Sequence, residues 1–331
     1  MPFNLSTPSD VANAIADLAD FYENTMEWNV TYDALDNTAL ISIPGRPATF
    51  FLEVIPFSYS NSNFGDVDFE ILQITVSGVP TGWSTRLGWL NPITKMHVHA
   101  DDTAEPWSLI TFERAPGYFH HAFIGYMEKL GTYDGGAIAD ATGWPGFWGT
   151  FGSEWQWDNE NTHLLFDGQY EESEDGSWGR GSGGIEVTHA DAGADFYKFS
   201  NSNGSFNCGG GWGNGHNGTL AWVEPVGVDG SLNIHPVIIH ANLNANNYIT
   251  PVGCVPGVRM VNCAPFELGQ VVSIGGQDWQ IFPMCNKDVA YGETGGDGSG
   301  PGNIQPNSIG DYRLNIGGAT ERWGIAVLHE A

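Results

Sequence analysis

The chain has 331 residues, of which 41% are hydrophobic and 13% aromatic, and this composition excludes an intrinsically disordered protein. Its 11 basic and 39 acidic residues give a formal net charge of −28, which argues against binding to nucleic acid or to an anionic membrane surface. The 45 glycines and 18 prolines follow no fixed period, so they exclude collagen and indicate many turns between β-strands.

An amphipathic helix is predicted near the N-terminus. Thr7 is the expected N-cap, Pro8 occupies the first helical position, and Asp10 lies in the first turn, where an acidic residue suits the helix dipole. Apolar residues then recur at helical spacing, namely Val11, Ile15, Leu18 and Tyr22. Residues 24–29 end the helix, and its apolar stripe predicts that it packs against another element.

Short runs of β-branched and aromatic residues follow from residue 38 and predict strands. The first of these runs cover residues 38–43, 49–55, 69–76 and 95–100. Trp107–Arg114 and Tyr118–Met127 are predicted to form a hairpin, because Pro116-Gly117 suits the centre of a type II turn. A second hairpin is predicted where Gly275-Gly276 joins two alternating runs, and residues 321–330 are predicted to form a last strand.

The predicted fold is mainly β, with an antiparallel β-sandwich or barrel-like core, an N-terminal amphipathic helix and a long Gly/Trp-rich insertion. The predicted division is residues 1–37 for the helix and its lead-in, 38–138 for the β-rich core, 139–218 for the insertion or loops, and 219–331 for the β-rich remainder that completes the core. No run of 18 apolar residues occurs, so no membrane-spanning helix is expected. The N-terminal residues lack the pattern of a secretory signal, so secretion is not expected.

Two adjacent histidines, His120 and His121, lie in the second strand of the first predicted hairpin. Successive side chains of a strand point to opposite faces, so these two imidazoles are not expected to bind one metal ion. Both predicted faces of this strand are largely apolar, which is typical of a strand in the centre of a buried sheet. We therefore expect both histidines to be packing residues.

His97 and His99 are the better metal candidates, because they lie two residues apart on one predicted strand face, with Asp101 in phase. Two imidazoles and a carboxylate are ligands that zinc or non-haem iron accepts. The spacing identifies no remaining ligand, so structural roles are the preferred interpretation and a metal enzyme is the alternative. No cofactor is expected.

Tryptophans and carboxylates in the Gly/Trp-rich part favour another alternative, a protein that binds or degrades glycans. Trp155 and Trp157 are the candidate sugar contacts, because aromatic faces pack against sugar rings, and acidic residues follow at 171–175. A run of acids between glycines and serines is also typical of a solvated loop. The sequence contains no G-x-S-x-G or H-E-x-x-H motif and no P-loop.

Three blocks of sequence, residues 97–138, 267–283 and 321–331, resemble a poorly characterised family of tailed-bacteriophage virion proteins. In this chain they follow a helix that ends near Trp28 and a strand at 38–43. The resemblance implies a structural part of the neck, collar or tail that is made in the host cytoplasm and found in the virion. It also implies other virion proteins as partners and no known chemistry. Such parts commonly form rings, so a homo-oligomer without enzymatic activity is expected.

Overall fold

The computed structural model of the chain describes residues 2–61, 65–78, 83–87, 93–115, 118–132, 134–141, 170–172, 178–180, 184–188, 197–198, 206–208, 234–242, 249–262, 266–283, 313–314 and 321–329. These residues form antiparallel β-strands and one helix, so the prediction of a mainly β chain with an N-terminal helix is confirmed. Within the described residues, no helix has both the length and the hydropathy that crossing a membrane requires.

The first elements in chain order are β1 (Phe3–Ser6), α1 (Val11–Asn24), β2 (Asn29–Asp33), β3 (Thr38–Ser42), β4 (Thr49–Asn61), β5 (Gly65–Ser77), β6 (Trp83–Leu87), β7 (Lys95–Asp101), β8 (Trp107–Ala115), β9 (Tyr118–Tyr126), β10 (Glu128–Lys129) and β11 (Asp134–Ala141). Then follow β12 (Tyr170–Glu172), β13 (Trp178–Arg180), β14 (Gly184–Thr188), β15 (Tyr197–Lys198) and β16 (Phe206–Cys208). The last are β17 (His235–Asn242), β18 (Ile249–Asn262), β19 (Val271–Ile274), β20 (Gln277–Pro283), β21 (Arg313–Leu314) and β22 (Glu321–Leu328).

Helix α1 begins later than its sequence predicts. Its N-cap is Asp10, whose backbone is extended and whose carboxylate accepts a hydrogen bond of 2.8 Å from the backbone N–H of Asn13. This backbone hydrogen bond lowers the pKa of Asp10. The prediction of Thr7 as N-cap is wrong, because β1 ends at Ser6 and the next residues only connect it to the helix. The predicted apolar stripe of α1 is confirmed, and all four of its residues are buried.

Strands β2 to β6 form a five-stranded sheet in chain order, here called the N-terminal sheet. Its three middle strands follow the predicted apolar runs, whereas β2 and β6 carry no such signal. Most residues of β2 are exposed, so the strand lacks the alternation of apolar and polar residues that predicts a half-buried strand. The N-terminal sheet and α1 pack together, and α1 contacts β2, β3, β4 and β5.

A seven-stranded sheet, the central sheet, has the order β1-β7-β8-β9-β11-β14-β15. The predicted hairpin of β8 and β9 is confirmed; Pro116-Gly117 lies outside the described residues. β11 spans residue 138, where the sequence suggested a boundary, and β14 and β15 of the predicted insertion continue the same sheet. Most of that insertion lies outside the described residues.

One face of the central sheet shares a hydrophobic core with α1 and the N-terminal sheet. Its buried members include Ile15, Leu18, Ile41, Phe50, Val98, Ile110, Phe112, Ala122 and Ile124. Two buried hydrogen bonds cross this core: the Tyr22 hydroxyl donates to the Ser108 hydroxyl at 2.8 Å, and the Ala48 N–H donates to the Tyr126 hydroxyl at 2.9 Å. These bonds satisfy polar groups that would otherwise be buried without partners.

The other face of the central sheet is covered by an eight-stranded C-terminal sheet, ordered β16-β17-β18-β22-β20-β19, with β10 on β18 and β21 on β22. Strand β10 follows β9 closely in the chain, so the main chain passes directly from one sheet to the other. The predicted hairpin of β19 and β20 is confirmed, and Gly275 and Gly276 both have the positive φ that its two-residue turn requires. The N-terminal, central and C-terminal sheets thus stack in three layers, and strands β7, β8, β9 and β11 of the central sheet are buried on both faces.

Gly257 is where the backbone of the C-terminal sheet comes closest to the central sheet. It lies in β18 near a register shift, has a φ of +64°, and faces the indole ring of Trp107. A side chain at this position would overlap that ring. The glycine is therefore required both by its backbone conformation and by its contact.

We expect Gly257→Ala to lower the free energy of unfolding by more than Gly275→Ala does. Both glycines have a φ of +64°, but a methyl group at Gly275 meets no atom within 4 Å. Each substitution costs about 1–2 kcal/mol for the left-handed backbone, and Gly257→Ala costs about 1–3 kcal/mol more for overpacking. Urea denaturation of the two variants measures the difference, and equal losses would contradict the contact with Trp107.

Candidate functional site

The two adjacent histidines of β9 point to opposite layers of the structure. His121 shares a face with Phe119, and both rings contact Phe282 of the C-terminal sheet, at centroid distances of 5.9 Å and 5.2 Å. His120 is paired in register with Phe112 on the face that packs against α1 and the N-terminal sheet. The prediction that β9 is extended and that its two imidazoles face apart is confirmed.

His121 is held by a buried hydrogen bond within the central sheet. Its Nδ1 lies 2.8 Å from the hydroxyl oxygen of Thr111, the residue directly opposite on β8. Neither residue is exposed to solvent. Because a buried imidazole without a partner is costly, this bond explains how the strand carries a polar ring through an apolar layer.

A cluster of imidazole and phenyl rings fills part of the space between the central and C-terminal sheets. We call it the histidine seam, and it consists of His97, His99, His121, His329, Phe3 and Phe282. The H-x-H spacing of β7 places His97 and His99 on the same face, as predicted, and that face meets the C-terminal sheet. Phe282 of β20 lies over both rings, with centroid distances of 5.3 Å to His97 and 6.3 Å to His99.

Both ends of the chain contribute to the histidine seam. Phe3 of β1 pairs in register with His99, and their ring centroids are 4.8 Å apart. His329 follows β22, and its Nδ1 lies 3.4 Å from Nε2 of His99, a long contact for a hydrogen bond. The phenyl ring of Phe3 also packs edge-on against His329 at 4.7 Å. No local pattern in the sequence indicates that Phe3, Phe282 or His329 belongs to this cluster.

Asp101 does not complete a metal site with the two histidines of β7. Its carboxylate accepts hydrogen bonds from the backbone N–H and the hydroxyl of Thr103, at 3.1 Å and 3.0 Å, and so forms the turn after the strand. Among the described residues, no group of three histidine, cysteine, aspartate or glutamate side chains is arranged to hold a metal ion. The three-ligand alternative suggested by the spacing is not assembled there.

Burial in the histidine seam lowers the pKa of three of its imidazoles. Burial lowers the pKa of His97 to about 4, although the nearby carboxylate of Glu113 opposes this effect. Burial, followed by the proximity of His329 and His97, lowers the pKa of His99 to about 3. Burial also lowers the pKa of His329, against the attraction of Asp278. At neutral pH these rings therefore pack as uncharged aromatic groups.

The candidate glycan contacts, Trp155 and Trp157, lie outside the described residues. Of the acidic run that follows them, Glu171 and Glu172 belong to β12, which pairs with β13 in a two-stranded sheet. The structure thus provides no geometry for a sugar platform. Neither models of known protein families nor curated proteins gave a significant match to this chain.

Phe282→Ala is expected to lower the free energy of unfolding by about 3–5 kcal/mol, because it empties a buried space bounded by three imidazoles and Phe119. Val271→Ala is the matched control: Val271 lies on the neighbouring strand β19 and is 42% exposed, so the expected loss is below about 1 kcal/mol. Urea unfolding at neutral pH measures both losses. A small loss in Phe282→Ala would show that the ring is not buried between the sheets.

Proposed function

We propose that the chain is a structural subunit of a tailed-bacteriophage virion, in its neck, collar or tail, and that it acts by protein–protein assembly and not by catalysis. Its partners are further copies of itself, arranged in a ring, and other virion proteins. The proposal rests on the resemblance of three sequence blocks to such proteins, and three features of the structure support it.

The single observation that carries the proposal is where these blocks lie. Residues 97–138 supply β8 to β10 and most of β7 and β11, and residues 267–283 and 321–331 supply β19, β20 and β22. The blocks therefore meet at the histidine seam, where their histidines pack against phenyl rings. The H-x-H motif, whose spacing suggested a metal site, packs between two sheets. This is what a scaffold requires, because its function is spread over interfaces.

An exposed apolar hairpin offers a surface for assembly. Among the described residues, six large hydrophobic side chains are exposed, and three of these lie on the β2–β3 hairpin. Leu35 at its tip is 92% exposed, and Tyr32 and Leu40 are each 37% exposed. β2 is also the edge strand of the N-terminal sheet, so its outer backbone groups have no partner strand in that sheet. Edge strands with apolar side chains are suited to pairing with another chain.

The charge of the chain makes such assembly depend on salt. Two copies that each carry a net charge of −28 repel one another, and this repulsion is screened over about 10 Å at 0.1 M salt but over about 3 Å at 1 M. Because the resemblance implies rings of identical copies, we take the occupant of the hairpin surface to be a second copy of the chain. Contact between copies is then favoured in a saline medium, where the repulsion is screened. A heterologous contact repeated around an axis gives a closed ring.

We expect the purified chain to form one closed oligomer whose concentration midpoint for assembly falls as sodium chloride rises from about 0.1 M to about 1 M, because salt screens the repulsion. Leu35→Ser is expected to raise that midpoint about tenfold at high salt, which corresponds to about 1.4 kcal/mol per interface. Leu130→Ser is the matched control, since Leu130 is 49% exposed but lies outside the hairpin. Mass photometry and sedimentation velocity measure the oligomer.

A monomer at every salt concentration, or equal effects of the two leucine substitutions, would contradict assembly through the hairpin. The virion role is tested separately by quantitative mass spectrometry of purified particles of the phage whose genome encodes this chain. The proposal predicts a fixed copy number per particle, and absence of the chain from particles would overturn it. If Leu35→Ser also leaves the particles intact, the hairpin binds no copy of the chain in the virion.

A further inference from the structure

The histidine seam buries polar atoms that have no hydrogen-bond partner among the described residues. They are the Nδ1 atoms of His97 and His99 and the side-chain oxygen of Gln280. His99 is fully buried, and His97 is 7% exposed. A protonated imidazole has two N–H donors. A charge on His97 would leave its Nδ1 donor without a partner among the described residues, and a charge on His99 would have only the neutral side chain of Gln280 nearby to favour it.

The charged groups that face the seam from the packed elements do little to stabilise a proton there. From β7 and β8, Lys95 and Glu113 are paired with each other at 2.9 Å, so the carboxylate nearest His97 is already bound to a cation. From β20, Asp278 acts on His329 and not on the two buried histidines. Two further carboxylates lie on this face, Asp101 at the end of β7 and the buried Asp140 on β11, and neither of them shifts the pKa of His99.

The uncharged polar groups around the seam are similarly engaged. From β9, His121 is hydrogen-bonded to Thr111, and from β20 the amide of Gln280 donates to the carbonyl of Gly269 at 2.9 Å. From β1, the ring of Phe3 adds an apolar surface beside His99. The neutral side chain of Gln280 acts to raise the pKa of His99, but burial outweighs this effect.

Protonation would also set the imidazoles against one another. The ring centroids of His99 and His329 are 5.6 Å apart, and His97 lies on the same face of β7 as His99. Positive charges at these distances repel one another, and the burial of His97 and His99 limits the water that screens them. Separation of the two sheets would hydrate the rings and relieve both the repulsion and the missing hydrogen bonds.

We propose that His97 and His99 make the histidine seam an acid-sensitive joint, which opens when the two rings take up protons and releases the C-terminal sheet from the central sheet. This device goes beyond the proposed structural role. At neutral pH the C-terminal sheet stays packed on the central sheet. In acid these two layers separate, while α1 and the N-terminal sheet stay packed on the other face of the central sheet.

The pH window follows from the direction of the shifts. The pKa of each buried imidazole is about 4 for His97 and about 3 for His99 in the closed structure, against 6.5 for the hydrated group. The open state therefore binds more protons than the closed state between these values. The closed seam has its full stability above about pH 6.5 and loses it progressively as the pH falls towards 4.

The test is hydrogen–deuterium exchange of the full chain at about pH 7 and about pH 4.5, corrected for the intrinsic pH dependence of exchange. In the wild-type protein, we expect the protection of β20 and β22 to fall about tenfold or more at the lower pH, while that of β3 and β4 changes less than about twofold. The double variant His97→Gln/His99→Gln has no titrating ring on β7 and is expected to keep its protection. His120→Gln, on the opposite face of the sheet, is the control and keeps the acid response.

Unchanged protection of β20 and β22 in acid would overturn the proposal, as would an equal loss over all described strands, which would indicate general acid unfolding. An equal acid response in the double variant would overturn it as well. Because the double variant also risks losing its fold, a second measurement uses the wild-type protein alone. In NMR titrations of the histidine ring protons, two buried imidazoles should stay neutral down to about pH 5, and ordinary titration near pH 6.5 of both rings would contradict the joint.

Discussion

Successive side chains of a β-strand point to opposite faces, and strands β7, β8, β9 and β11 of the central sheet are buried on both faces. Each of these four strands must therefore supply two different cores at once. On one face, residues such as Ile110 and Ala122 pack beneath α1 and the N-terminal sheet. On the other, Trp107 and the histidines meet the C-terminal sheet. A shift of one residue in register would exchange these sets, so the layers above and below fix the register of the strands between them.

The sequence predicts features that depend on local patterns, such as strands and turns, but it does not predict which layers pack on the two faces of a strand. Strands such as β3 and β8 are local patterns of apolar and β-branched residues, and the Gly275-Gly276 turn is a local conformational requirement, so they could be predicted. The opposite orientations of His120 and His121 follow from strand geometry alone. The N-cap was misplaced because Thr7 and Asp10 are both good caps, and only the strand β1 before them decides which one is used.

The candidate site depends on contacts that no local pattern encodes. His99 and His329 are 230 residues apart in the chain, and Phe282 belongs to a third strand. The H-x-H spacing predicts that two imidazoles share a face, but it says nothing about the element above them. Here the neighbouring elements place phenyl rings and a third imidazole against them. The sequence therefore identified the right residues of β7 and left their role open between ligand and packing residue.

The balance of charge links the interior of the protein to its surface. Burial keeps the imidazoles of His97 and His99 neutral, whereas the chain as a whole carries a net charge of −28. The proposed assembly is then limited by repulsion between copies, and the proposed joint between the sheets by protonation of buried rings. The two effects respond to different variables, salt and acid, because one acts across exposed surfaces and the other within a dry layer.

The most direct test of the layered structure is a nuclear Overhauser experiment at neutral pH on protein with labelled histidine and phenylalanine rings, assigned by single substitutions. If the C-terminal sheet stacks on the face of the central sheet that carries His97 and His121, the ring of Phe282 should give cross-peaks to both of these rings, whose centroids lie 5.3 Å and 5.9 Å away, and none to His120. A cross-peak between Phe282 and His120, or none between Phe282 and any histidine, would contradict the stacking of the C-terminal sheet on this face of the central sheet.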